Sequence, residues 1–132
     1  MTVEEAKAIL RNRSNQAVRM LAFEALSRIV LRTPIDTGRA RGNWNVGVGN
    51  PDHGVNLVGF DKAGTGTINR GQAVLAAAAP DQTLYITNSL PYILPLEHGH
   101  SGQAPAGMVM VTLAELHHLA AQIAARIRAG NL

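Results

Sequence analysis

Thr33-Pro-Ile-Asp-Thr-Gly-Arg-Ala-Arg-Gly-Asn-Trp44 separates two kinds of periodicity, and its reading decides the fold. Upstream of it the apolar residues recur at helical spacing. Downstream, beginning with the only tryptophan, they alternate as in a strand. Pro34 cannot continue a helix and pushes Thr33 out of the helical region. Asp36 and Thr37 can bond their own backbone in a turn, and Gly38 accepts a left-handed conformation. Arg39 and Arg41 stand two apart, so in an extended segment they project to the same side. The stretch 32–44 therefore reads as a joint whose angle is set by Pro34, Asp36, Thr37 and Gly38, with Trp44 anchoring the following strand in the core. Arg39 and Arg41 have no evident structural duty in it, which makes them candidate interface residues.

Towards the N-terminus, Thr2-Val-Glu-Glu5 has the form of a capping box, and Glu4 and Glu5 suit the positive end of a helix dipole. No glycine or proline interrupts the chain from there to Leu31. Val3, Ala6, Leu10, Ala17, Leu21 and Ala25 mark a stripe along it. A helix of ~28 residues, ~42 Å long at 1.5 Å per residue, exceeds what a small globule buries along its length. One end is expected to protrude or to pack on another subunit.

Towards the C-terminus, Trp44, Val46 and Val48 alternate with polar or small residues, and Val55 to Phe60 reads as the hairpin partner across the turn Asn50-Pro-Asp-His-Gly54. Residues 61–68 are glycine-rich and read as a flexible loop. Arg70 to Ala79 is expected to be a short helix closed by Pro80, and Thr83 to Asn88 a strand. Prolines break Ser89 to Glu97 into a turn and a short helical or extended piece. Residues 98–107 form a second loop. Met108 to Val111 is short enough for a strand, and Thr112 with Glu115 has the capping-box form opening a last helix with one apolar face. The expected fold is α+β: long N-terminal and C-terminal helices packed on a small, mainly antiparallel sheet, with a short middle helix, in one domain spanning 1–132.

The 132 residues suffice for one hydrophobic core, but aromatic residues are only 4%, so that core must be built from Ala, Val, Leu and Ile. The absence of cysteine excludes disulfides and thiolate chemistry. The N-terminus shows no signal-peptide pattern, and no apolar run approaches the ~18–20 residues of a membrane span, so a soluble chain without a membrane partner is expected. The net charge of +3 is uneven: residues 1–44 hold eight Lys and Arg against four Asp and Glu, the remainder four against five. A basic N-terminal third suits DNA, an acidic partner or a solvated helix face.

Few groups of residues point to chemistry. Glu97, His98 and His100, with His117 or His118 as a further ligand, are the residue types of a zinc or nuclease metal site, and a small metal-dependent nuclease or hydrolase is the enzyme alternative. Against it, no other acidic residue lies nearby, and the adjacent His117 and His118 point ~100° apart on a helix. His98 and His100 are better read as loop residues with an interface or hydrogen-bonding role. Gly64 to Gly71 lacks the Gly-Lys-Ser/Thr ending of a phosphate loop. No Gly-x-Ser-x-Gly elbow surrounds a serine. A DNA-binding module using Arg39, Arg41 and the basic third is the other alternative. No metal, cofactor or catalytic residue is expected.

Two blocks carry a resemblance. Thr33 to Trp44 is similar to the T-P-V-D-T-G-x-x-R-x-x-W signature of the HK97 gp10-like family of phage neck, tail-completion and minor tail proteins. Tyr85-Ile-Thr-Asn-Ser-Leu-Pro-Tyr-Ile-Leu-Pro-Leu-Glu-His-Gly99 resembles its second signature, a strand followed by N-x-x-P-Y and L-E-x-G. Gln103-Ala-Pro-Ala-Gly-Met108 is also similar to members from tailed phages and prophages, and the likeness covers roughly residues 1–128. His98 departs from it, standing where related sequences often carry an aromatic residue. The resemblance implies a structural virion protein at the head–tail junction, present in the host cytoplasm during assembly. It would act as a homo-oligomeric ring against a head–tail adaptor or connector, a tail terminator or a tail tube, with DNA passing in the channel.

Overall fold

The computed structural model describes residues 1–130. The first helix, α1, runs Val3–Arg32 and is 30 residues long, about 45 Å. Its start is the capping box expected from the sequence: Thr2 Oγ1 accepts from the Glu5 amide at 3.1 Å, and the Glu5 carboxylate accepts from the Thr2 amide at 2.7 Å. Only its C-terminal part enters the core, through Leu26, Ile29 and Val30. Residues 1–14 are exposed apart from half-buried Ala6, with Arg11 reaching Asp81 at 3.7 Å, so the first turns of α1 overhang the globule.

Two helices flank the buried part of α1. The last helix, α5 (Val109–Arg128), packs along it through Leu119 and Ile123. Glu115 of α5 receives Arg28 at 3.1 Å and also Arg32, which holds its pKa below the ordinary glutamate value. On another side lies α3 (Thr65–Ala76), with Leu75 in the core. The sheet is one antiparallel pair, β1 (Asn45–Val48) and β2 (Leu84–Thr87), in the register Val46 with Ile86. Short helices α2 (Arg39–Gly42) and α4 (Ile93–Glu97) complete the order. Leu26, Ile29, Val30, Trp44, Val46, Leu75, Ala104 and Met108 form the core. This is the α+β architecture expected: long terminal helices, a small antiparallel sheet and short helices between.

Four local expectations are corrected. Residues 55–60 are not the partner of β1. They form an exposed turn, and β1 pairs instead with β2. The stretch 61–68 is not a free loop, because α3 begins at Thr65, five residues before the expected Arg70, and ends at Ala76. The reason is Asp61, whose carboxylate accepts from Gly64 N (3.0 Å), Thr67 N (2.8 Å) and Thr67 Oγ1 (2.7 Å), an acceptor set that terminates the helix from outside. Met108 to Val111 enters α5 rather than forming a strand. Thr112 and Glu115 are therefore inside the helix. Buried Thr112 returns its hydroxyl to the Met108 carbonyl at 2.8 Å, and Glu115 faces α1.

Candidate functional site

The joint between α1 and β1 is built as a cap on the end of α1. A helix end leaves its last carbonyls without partners, and here side chains of the joint supply them. Thr33, almost wholly buried, donates its hydroxyl to the Ile29 carbonyl at 2.7 Å and accepts from Trp44 Nε1 at 2.8 Å. That relay fixes buried Trp44, at the head of β1, to the last turn of α1. Arg41 finishes the cap. Its guanidinium donates to the carbonyls of Leu31 (2.8 Å), Thr33 (3.0 Å from Nη2 and 3.3 Å from Nε) and Lys62 (2.8 Å). Burial lowers the Arg41 pKa, opposed by the charge of nearby Asp61.

These positions correct two readings of the joint. Residues 39–42 are a helical turn, so Arg39 and Arg41 do not project from an extended segment. Arg41, 9% exposed, has a structural duty that a rigid fork of donors suits and a lysine does not. Arg39 is half-buried. It donates to the Leu57 carbonyl at 3.0 Å, and its guanidinium lies 5.6 Å from the Phe60 ring centre. Gly38 has φ +93°, and a Cβ there would meet the Asp61 and Lys62 backbone below 3.0 Å, so both conformation and space require glycine. Thr37 accepts from the Arg39 amide at 3.2 Å, as a turn residue does. Pro34 is buried. Asp36 differs: it is exposed and makes no hydrogen bond among the described residues, so the backbone bond expected of it is not formed.

Residues 54–62 lie along the outside of the joint and are held there by Asn43. Its side chain, 2% exposed, accepts from the Asn56 amide at 2.7 Å and donates to the Asn56 carbonyl at 2.9 Å. Arg70 of α3 reaches across to the Trp44 carbonyl at 2.8 Å. Asp61 lies beneath. Burial pushes its pKa up, but the bonds from Thr67 and Gly64 and the charge of Arg70 outweigh this and hold it below the ordinary aspartate value.

The second block and the stretch that begins at Gln103 both meet the first at this place. Gln103 forms a two-bond pair with the backbone of Ile35, accepting from its amide at 2.8 Å and donating to its carbonyl at 3.0 Å. Asn88 donates to the Ala40 carbonyl at 2.9 Å. Between the blocks lies a cleft of about 280 Å³, lined by Asp36, Arg39, Tyr92, Leu96, Ser101 and Gln103 among others.

Glu97 has a duty that sequence reading missed. Its Oε1 accepts from the amides of Met108 and Val109, and Oε2 from Met110, all at 2.9 Å. It thus terminates α5 from twelve residues before the helix begins, closing the loop 98–107 in the process. Gly107 (φ +86°) completes the closure, since a Cβ there would lie 2.5 Å from the Glu97 carbonyl oxygen and 2.7 Å from Oε2. Burial raises the Glu97 pKa. The three amides, with His98 nearby, more than offset this, and the net value is below the ordinary one.

The structure places His98 and His100 on the exposed face of this loop, and His117 and His118 exposed on α5. Among the described residues no group of three or more His, Cys, Asp or Glu is arranged to hold a metal ion. Glu97, the carboxylate of the metal reading, spends both oxygens on helix amides. No described helix is long and apolar enough to cross a membrane. Compared with protein-family models, with curated proteins and with solved structures, the chain matches none.

Proposed function

We propose that this chain is a non-enzymatic structural subunit of a tailed phage or prophage-like particle, acting at the head–tail junction through protein–protein contacts, in a homo-oligomeric ring. One observation carries the reading. The two blocks that resemble neck and tail-completion signatures meet through Asn88 on the Ala40 carbonyl, 48 residues apart, and the further stretch from Gln103 joins Ile35, 68 residues away, so that the three form a single interlocked hub. Within that hub the conspicuous polar residues cap helices or bind backbone: Thr33, Arg41, Asn43, Asp61 and Glu97 each terminate or tie down an element. A hub of that kind, whose polar groups are committed to backbone, suits a rigid building block.

The overhanging start of α1 supports the oligomeric part of the reading. A capped helix whose first turns are largely exposed presents Val3 and Leu10, both more than half exposed, to a neighbouring molecule. A chain acting in the neck has a definite loss-of-function signature. Particles produced without it are expected to show filled heads and full-length tails that do not join, by negative-stain electron microscopy. Normal joined particles, or cells that make no tails at all, overturn the assignment.

A further inference from the structure

Two apolar features of the surface have no partner in the chain. The first is the turn at 55–60. Leu57 is 63% and Val58 79% exposed, yet the backbone beneath them is fixed by buried Asn43 on Asn56 and by Arg39 on the Leu57 carbonyl. Such a turn is a preorganised apolar knob. The second is a groove of about 480 Å³ between α1, β2 and α5, lined by Val18, Leu21, Leu84, Ile86, Leu113 and Leu116 among others. None of the residues lining the groove belongs to the knob or to the side chains that hold it.

One wall of the groove has hydrogen-bonding capacity to spare. In the antiparallel register, Gly49 donates to the Thr83 carbonyl at 2.8 Å, so residues 83, 85 and 87 face β1. The N–H and C=O of Leu84 and Ile86 therefore turn outward, along the edge of β2. An occupant with apolar side chains and accessible main chain satisfies both floor and wall.

The area of the chain argues for a partner surface, and a knob and a groove that are both unpaired on one chain point to another copy. A 14.0 kDa monomer is expected to expose about 6,700 Å². This chain exposes 7827 Å², about 1,100 Å² more, whereas each side of a standard interface gives about 800 Å². The overhanging start of α1 supplies part of the surplus; Val55, Leu57, Val58 and Phe60 add to it at the knob, and Val18 and Leu113 at the groove.

We propose that the Leu57–Val58 knob of one copy seats in the α1–β2–α5 groove of the next. This inference rests on the homo-oligomeric reading and specifies its contact. Knob and groove are different surfaces, so the contact is head-to-tail, and each copy has one of each to offer. Repetition of such a contact generates a ring when its rotation closes and a filament when it does not.

Val58→Lys spoils the knob and leaves the groove, whereas Leu113→Lys does the reverse. Both sites are more than half exposed, so neither substitution enters the core. Sedimentation velocity of the whole chain at near-millimolar concentration is expected to show wild-type assemblies and a monomer for each variant. An equimolar mixture of the two variants is expected to give a species of twice the monomer mass, because one good knob then meets one good groove and the series stops. Unchanged melting temperatures establish that both variants are folded; if a lysine lowers one, Val58→Ser and Leu113→Ser replace the pair and are read in the same way. Wild-type assemblies that persist in both single variants overturn the knob-and-groove contact while leaving the ring reading intact. Monomeric wild type overturns the contact and self-assembly of the free chain together, and the unjoined-particle test then decides the neck assignment separately.

Discussion

Replacing Arg41 by methionine removes the guanidinium and keeps most of the side-chain bulk. Three carbonyls lose their donor: Leu31 and Thr33 at the end of α1, and Lys62 in the segment that lies across the joint. A hydrogen bond from a charged donor contributes about 1.5–3 kcal/mol, and neighbouring ones do not add fully. The Thr33 carbonyl, in an almost wholly buried residue, sets a floor of about 1.5 kcal/mol, and the three together bring the loss to about 3 kcal/mol. For a chain of 132 residues that corresponds to a fall in Tm of about 10 °C. Arg39→Met is the internal control. It removes one solvent-exposed bond to a carbonyl and one contact with a half-exposed ring, which screening by water reduces to about 1 kcal/mol together. Urea unfolding followed by circular dichroism, with Trp44 fluorescence as a second probe, measures both. If Arg41→Met costs less than Arg39→Met, or under 1 kcal/mol, the account of Arg41 as the cap of α1 is refuted. Arg41→Lys is expected to behave like the methionine variant, because one ammonium cannot reach three carbonyls at fixed angles.

Other outcomes follow from the same contacts. The folded pKa values of Asp61 and Glu97 are depressed, so their contributions are complete above the ordinary carboxylate pKa of about 4 and are lost as pH falls through the depressed values. Asp61→Asn and Glu97→Gln should therefore lower stability at neutral pH and flatten its decline below pH 4, measured by urea midpoints across pH; a decline as steep as that of wild type would refute the two caps. Gly107→Ala forces a left-handed residue against Glu97 and is expected to cost about 2–4 kcal/mol, read from chemical unfolding, with the start of α5 losing amide protection in hydrogen exchange. Gln103→Ala cuts both bonds to Ile35 and should free the 98–107 loop, increasing proteolysis within it while changing Tm by only a few degrees.

Much of the fold was legible in the sequence because its signals are local. Thr2 and Glu5 announce α1, its uninterrupted length announces the overhang, and Pro34 and Gly38 announce the turn before Trp44. The misreadings share a cause, which is that the deciding partner lies outside the element being read. Val55 to Phe60 has the apolar content of a strand, but Asn43 takes the backbone of Asn56 and holds the segment as a turn, leaving β1 to pair with β2. Thr112 and Glu115 have the spacing of a capping box, but the carboxylate that terminates α5 comes from Glu97. Asp61 starts α3 at Thr65, earlier than the expected Arg70, for the same kind of reason. Charge alone misled at Arg41: an arginine two residues from another resembles an interface pair, and only the folded chain shows three carbonyls converging on it. The two blocks quoted from the sequence, 33–44 and 85–99, do lie together in the fold, through Asn88 on the Ala40 carbonyl.

The most direct test of the neck assignment is cryo-electron microscopy of intact particles, with mass spectrometry of the same preparation to identify the chain. The account predicts several copies arranged around the tail axis where the tail meets the head, with the 55–60 turn of each directed at its neighbour. A chain absent from purified particles, or found only in the capsid shell or at the distal tail tip, contradicts it.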